Sequence, residues 1–162
     1  MVAVFINKQF VMKRASLLSL LQSLLLLLFA YTAVSKFLNL AAFEAVLRRT
    51  PFISRGAAVL APATPLAELA IVLLLLFPKT RYWGFVASAA ILLLFAVYLT
   101  AMLLSGLKLP CSCGGMISAL GWKEHVAMNV VLAGLSVWGA REEKGVRIQE
   151  SGGTNGEWRD EN

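Results

Sequence analysis

Apolar residues in this chain run in long blocks rather than alternating with polar ones. Four blocks stand out, at about residues 15–34, 56–77, 84–104 and 122–140. A helix crosses the hydrocarbon core of a bilayer with about 20 largely apolar residues at 1.5 Å each. The pattern therefore predicts an all-α, polytopic membrane protein, a four-transmembrane-helix bundle. The fourth block is the shortest; its stretch from Trp122 to Trp138 would reach roughly 26 Å, enough for a thin or locally pinched bilayer.

The gaps between blocks are short, so residues 15–140 read as one membrane domain. Residues 1–14 read as a cytoplasmic lead-in, and residues 141–162, polar and containing Gly152, Gly153 and Gly156, as a disordered tail. Lys13 and Arg14 before a leucine run have the outline of a signal peptide. Ala30 to Val34 make a poor small-x-small cleavage site, so a retained helix is expected.

Shorter patterns refine this outline. Leu40, Phe43 and Leu47 fall at helical spacing, with Glu44 and Arg48 as an i,i+4 pair. This predicts a surface amphipathic helix after the first span. Thr64 before Pro65 has the form of an N-cap followed by proline at the first helical position. The second span is thus expected to divide into a short approach and a main helix starting near Pro65. Pro78 to Arg81 predicts a tight turn, and Tyr82 and Trp83 fall where an interfacial aromatic belt belongs.

Composition agrees: 59% of residues are hydrophobic and 15% charged, against about 45–50% and 25% in soluble domains. The net charge of +6 needs no nucleic acid to explain it, because its distribution fits a membrane. With four crossings, nine basic residues share the side of the N-terminus, middle turn and tail, and six lie opposite. That bias places both termini in the cytoplasm and the loop between the third and fourth spans outside.

That outer loop holds both cysteines, in the run Cys111-Ser112-Cys113-Gly114-Gly115. A turn at Ser112 would bring the sulfurs within bonding reach, and a disulfide in so small a ring is strained and labile. Gly114 and Gly115 permit close approach of another backbone. The only histidine, His125, follows at the start of the fourth block, with Trp122 and Asn129 on the same helical face. His125 can take or give a thiol proton. Two readings stay open: a redox pair served by His125, or a Cu(I) or Zn site from Cys111, Cys113 and His125. A third is a purely structural subunit. Glu68 lies inside the second span, where an ionisable group needs a named partner. Lys36, at the end of the first span, is the expected one.

The chain resembles the MauE family within the DoxX-like superfamily of redox-associated membrane proteins. The residues that carry the likeness are Ser35-Lys36 closing the first helix and Pro65-x-x-Glu68-Leu69 in the second. Lys79-Thr80-Arg81 in the middle turn and Pro110 to Gly115 followed by Trp122-x-x-His125-x-x-x-Asn129 complete it. Many relatives carry Cys-Gly-Cys-Phe-Gly where this chain has Cys-Ser-Cys-Gly-Gly. The resemblance implies a bacterial inner-membrane protein that assists maturation of methylamine dehydrogenase by thiol–disulfide transfer. Cys111 and Cys113 carry over as the redox pair with His125 beside them, Trp122 and Asn129 shape the pocket, and Pro65, Lys36 and Glu68 support it. The implied partner is a periplasmic thioredoxin-like or disulfide-rich protein; with a single cysteine pair, either electrons pass directly to a bound acceptor such as a quinone or the pair acts only as a carrier.

Overall fold

A computed structural model of the chain describes residues 2–50, 53–104 and 121–154. Among these residues every regular element is a helix. They are α1 (Val2–Leu38), α2 (Leu40–Arg48), a 3₁₀ turn (Ser54–Gly56), α3 (Ala57–Leu76), α4 (Arg81–Leu104) and α5 (Trp122–Thr154). Three stretches are long and apolar enough to cross a membrane: Ser16–Leu38, Ser54–Leu76 and Arg81–Leu104. They coincide with the first three blocks of the sequence. The first part of α5 is not in that group, because His125, Asn129 and Ser136 dilute its apolar run. All three face the bundle interior and are buried.

Four helices share one core. Leu18, Leu21, Leu25 and Phe29 of α1 meet Ile71 and Leu75 of α3, Phe85 and Leu92 of α4, and Leu132, Ala133 and Ala140 of α5. Leu17, Leu20, Leu24 and Leu27 lie on the other face of α1, each more than half exposed. In lipid, burying leucine against leucine drives nothing, so association depends on close packing and on polar contacts. Two glycines provide the close approach. A Cβ on Gly84 would sit 2.9 Å from the Leu75 side chain and backbone. One on Gly139 would sit 2.9 Å from the Phe85 ring and 3.2 Å from Leu21. One polar contact is made by Gln22 Nε2, which donates to the Leu75 carbonyl at 2.8 Å. Ser88 and Ser136, both fully buried, donate to the carbonyls of Gly84 and Leu132 at 2.8 Å, so neither brings an unpaired hydroxyl into the core.

The second span departs from expectation. α3 runs unbroken through Pro62 and Pro65, starting after the 3₁₀ turn rather than near Pro65. Thr64 is not a cap: its hydroxyl donates to the Leu60 carbonyl at 2.7 Å, inside the helix. Each proline withholds one N–H, but in a membrane bundle neighbouring helices and Ser/Thr side chains compensate for such losses. α2 packs on the start of that helix, with Phe43 and Leu47 against Ala57 and Ala61. The amphipathic helix itself forms as read from the sequence, with Glu44 and Arg48 2.6 Å apart.

Both ends of the chain are more helical than the patterns suggested. α1 continues back through the lead-in to Val2, with no proline or glycine between Val2 and Leu38 to stop it. α5 continues past residue 140 to Thr154, so the tail up to that point is helix rather than disordered. Two ion pairs hold this extension to the bundle. Glu142 meets Arg14 of α1 at 3.3 Å, and Glu143 meets Arg81 of α4 at 3.6 Å. The middle turn forms as expected, with the Thr80 hydroxyl donating to the Leu74 carbonyl at 2.9 Å, one of the carbonyls a helix end leaves open.

Candidate functional site: a buried polar cluster

α1 ends, α3 passes and α5 begins at one end of the bundle. Lys36 is in the last turn of α1 and Glu68 in the middle of α3. Lys36 Nζ donates to Glu68 Oε1 at 2.5 Å, with the two side chains 3% and 2% exposed. The ammonium also lies over aromatic faces, 5.5 Å from the Phe95 ring centroid and 5.9 Å from that of Phe43. Such contacts compensate a cation taken out of water. Pro65, one turn before Glu68, is fully buried. Thr32, one turn before Lys36, is buried as well and donates to the Phe29 carbonyl at 3.2 Å.

From the other side come His125 and Asn129 in the first turns of α5, both buried. Asn129 Nδ2 donates to the His125 carbonyl at 2.8 Å, which is the partner its depth requires. The His125 backbone N–H donates to the Gly121 carbonyl at 3.1 Å. These groups surround a cavity of about 60 Å³, its polar wall made by Thr32, Lys36, Glu68, His125 and Asn129. Phe29, Leu92, Phe95, Leu99 and Met128 form the apolar wall.

The structure thus brings Lys36, Glu68, His125 and Asn129 to one cavity. Cys111, Cys113, Gly114 and Gly115 lie outside the described residues, as does Met116. Trp122 is the first residue of α5. The alternative metal set of Cys111, Cys113 and His125 has only its histidine among the described residues, and these contain no group of three metal-binding side chains. Sequence reasoning missed Thr32, although a threonine four residues before Lys36 in a leucine-rich helix was a readable sign of an inward polar stripe. Phe95 and Met128 had no such sign, being apolar residues among many.

An all-helical, multi-pass membrane protein with a buried lysine–glutamate pair beside a polar cavity is the class that this fold and site define. Residues 14–141 match the family described as methylamine utilisation protein MauE. The chain belongs to that family, and the matched region takes in the whole cavity and the cysteine run. Neither the curated proteins nor the solved structures gave a significant match.

Proposed function

We propose that this protein is an integral membrane thiol–disulfide component that assists the maturation of a periplasmic partner, as in methylamine utilisation. One observation carries the reading. The connection that holds Cys111 and Cys113 leaves α4 at Leu104 and enters α5 at Trp122, and Leu99 and His125 near those two ends both line the polar cavity.

A partner thiolate attacks the Cys111–Cys113 disulfide, breaking it and forming a mixed disulfide. The second partner thiolate resolves that bond, so the partner leaves oxidised and the pair is left as two thiols. His125 delivers a proton to the departing thiolate. Restoring the disulfide requires an acceptor of two electrons and two protons, which a membrane quinone would supply if bound.

This scheme needs the cysteines on the oxidising side. α5 supports that as a fourth crossing: it runs antiparallel to α4, with Gly139 against Phe85 at one end and His125 near Leu99 at the other. Its 19 residues from Trp122 to Ala140 would span about 28 Å. Four crossings put both termini in the cytoplasm, the side with more basic residues. α2 then lies near the outer membrane surface.

The test is the state of the two cysteines in native membranes, read by acid quench and mass-tagged alkylation. A pair that is oxidised as isolated and reduces reversibly is the expected result. Thiols that stay reduced in air until a chelator is added would replace this reading with a Cu(I) or Zn site.

A further inference from the structure

One buried polar atom on the cavity wall has no partner among the described residues. Glu68 Oε1 takes the Lys36 ammonium, while Oε2, equally buried, makes no hydrogen bond among the described residues; the Thr32 hydroxyl nearby is given to the Phe29 carbonyl. A buried oxygen left in that state carries its full desolvation penalty. The space beside it, about 60 Å³, has a definite size class. An apolar cavity of about 150 Å³ takes up benzene, whereas a single water needs at least about 10–15 Å³ and takes up about 30 Å³ in the liquid. The space here suits one or two waters and not an aromatic ring. Its wall is not of the kind that stays dry, because a carboxylate, an ammonium, an imidazole and an amide meet there. Lys36 already answers the charge on Glu68, so what Oε2 lacks is a hydrogen-bond donor rather than a metal cation.

We propose that this cavity holds one or two water molecules bound to Glu68 Oε2 and reaching His125, making carboxylate and imidazole a water-linked proton-exchange pair. The exchange moves a proton and no electrons. An imidazolium N–H bond breaks, the water gains that proton, and one of its own passes to Oε2. Among the described residues, the ionisable groups that face the space are Lys36 from α1, Glu68 from α3 and His125 from α5; α4 contributes Leu92, Phe95 and Leu99. Such a pair would buffer the proton of the thiol chemistry proposed above, but its existence rests on the cavity alone.

Because the chain has a single histidine, ¹⁵N-histidine labelling reads the site without assignment. In lipid nanodiscs, water-edited solid-state NMR should show magnetisation passing from water to the His125 imidazole, although that side chain is 4% exposed. An imidazole that receives none overturns the proposal. Replacing both charges together, Lys36→Met with Glu68→Leu, avoids an unpaired charge that would unfold the bundle, and should cut the transfer several-fold. Undiminished transfer in that variant would mean that the water enters from the bundle end and is not held by Glu68. Cys111→Ser with Cys113→Ser should leave the transfer unchanged even if thiol exchange is lost; a loss of transfer there would tie the water to the cysteine connection and overturn its assignment to Glu68.

Discussion

The two ends of this bundle use charge in opposite ways. At one end, Arg14–Glu142 and Arg81–Glu143 tie α1 and α4 to α5 at 3.3 and 3.6 Å, with the arginines 54% and 26% exposed. At the other, Lys36 and Glu68 are 3% and 2% exposed and lean on aromatic rings and a cavity. The first kind of pair gains little where it is exposed, as Arg14–Glu142 is, because water solvates that arginine and salt screens it, although Glu143 beside Arg81 is largely buried. The second is costly to disturb, because neither partner has water to fall back on. Two ion pairs thus fasten a helix end in one place, while a single pair enforces one arrangement of α1 against α3 in the other.

The sharpest way to break this comparison is Lys36→Met. It strands a carboxylate in the bundle and should lower stability by about 3–5 kcal/mol, while Lys36→Met with Glu68→Leu should recover most of the loss. Denaturation in mixed detergent micelles reads both. Two single losses that simply add in the double variant would show that the pair does not act as a unit.

Next is Gly139→Leu, which drives a side chain into Phe85 and Leu21. A loss of about 1–3 kcal/mol is expected from overpacking. An unchanged unfolding curve would mean that α4 and α5 can separate without cost.

At the charged end, Arg14→Ala should cost less than about 1 kcal/mol, and that small effect should shrink further in high salt. A larger or salt-independent loss would erase the distinction between the ends. The smallest change belongs to Gly134→Ala. Nothing lies within 4 Å of a Cβ there, so only helix propensity acts, and stability should rise by roughly 0.5–1 kcal/mol.

How much of this was legible follows from which interactions are local. Three spans and α2 were readable because apolar run length and the Leu40, Phe43, Leu47 spacing are properties of neighbouring residues. The Lys36–Glu68 pair was readable for a different reason: a charge inside a span must be answered, and few partners lie at the right depth. Pro62 and Pro65 misled, because the rule that proline breaks a helix is relaxed in membrane helices. The Arg14–Glu142 pair joins residues 128 positions apart, and nothing in either neighbourhood announces it. The cavity was legible only as a set of residue types, since its volume depends on how Leu99, Phe95 and Met128 pack.

The order of Lys36 and Glu68 along the chain bears on how the protein enters its membrane. The lysine emerges first and Glu68 follows 32 residues later. A glutamate in the middle of a span is expensive to hand to lipid alone. A lysine at a helix end can wait with its ammonium drawn up to the headgroups. The first hydrophobic helix therefore inserts at less cost than the glutamate-bearing one, and a Lys36 already in place lowers the cost of Glu68 as it arrives.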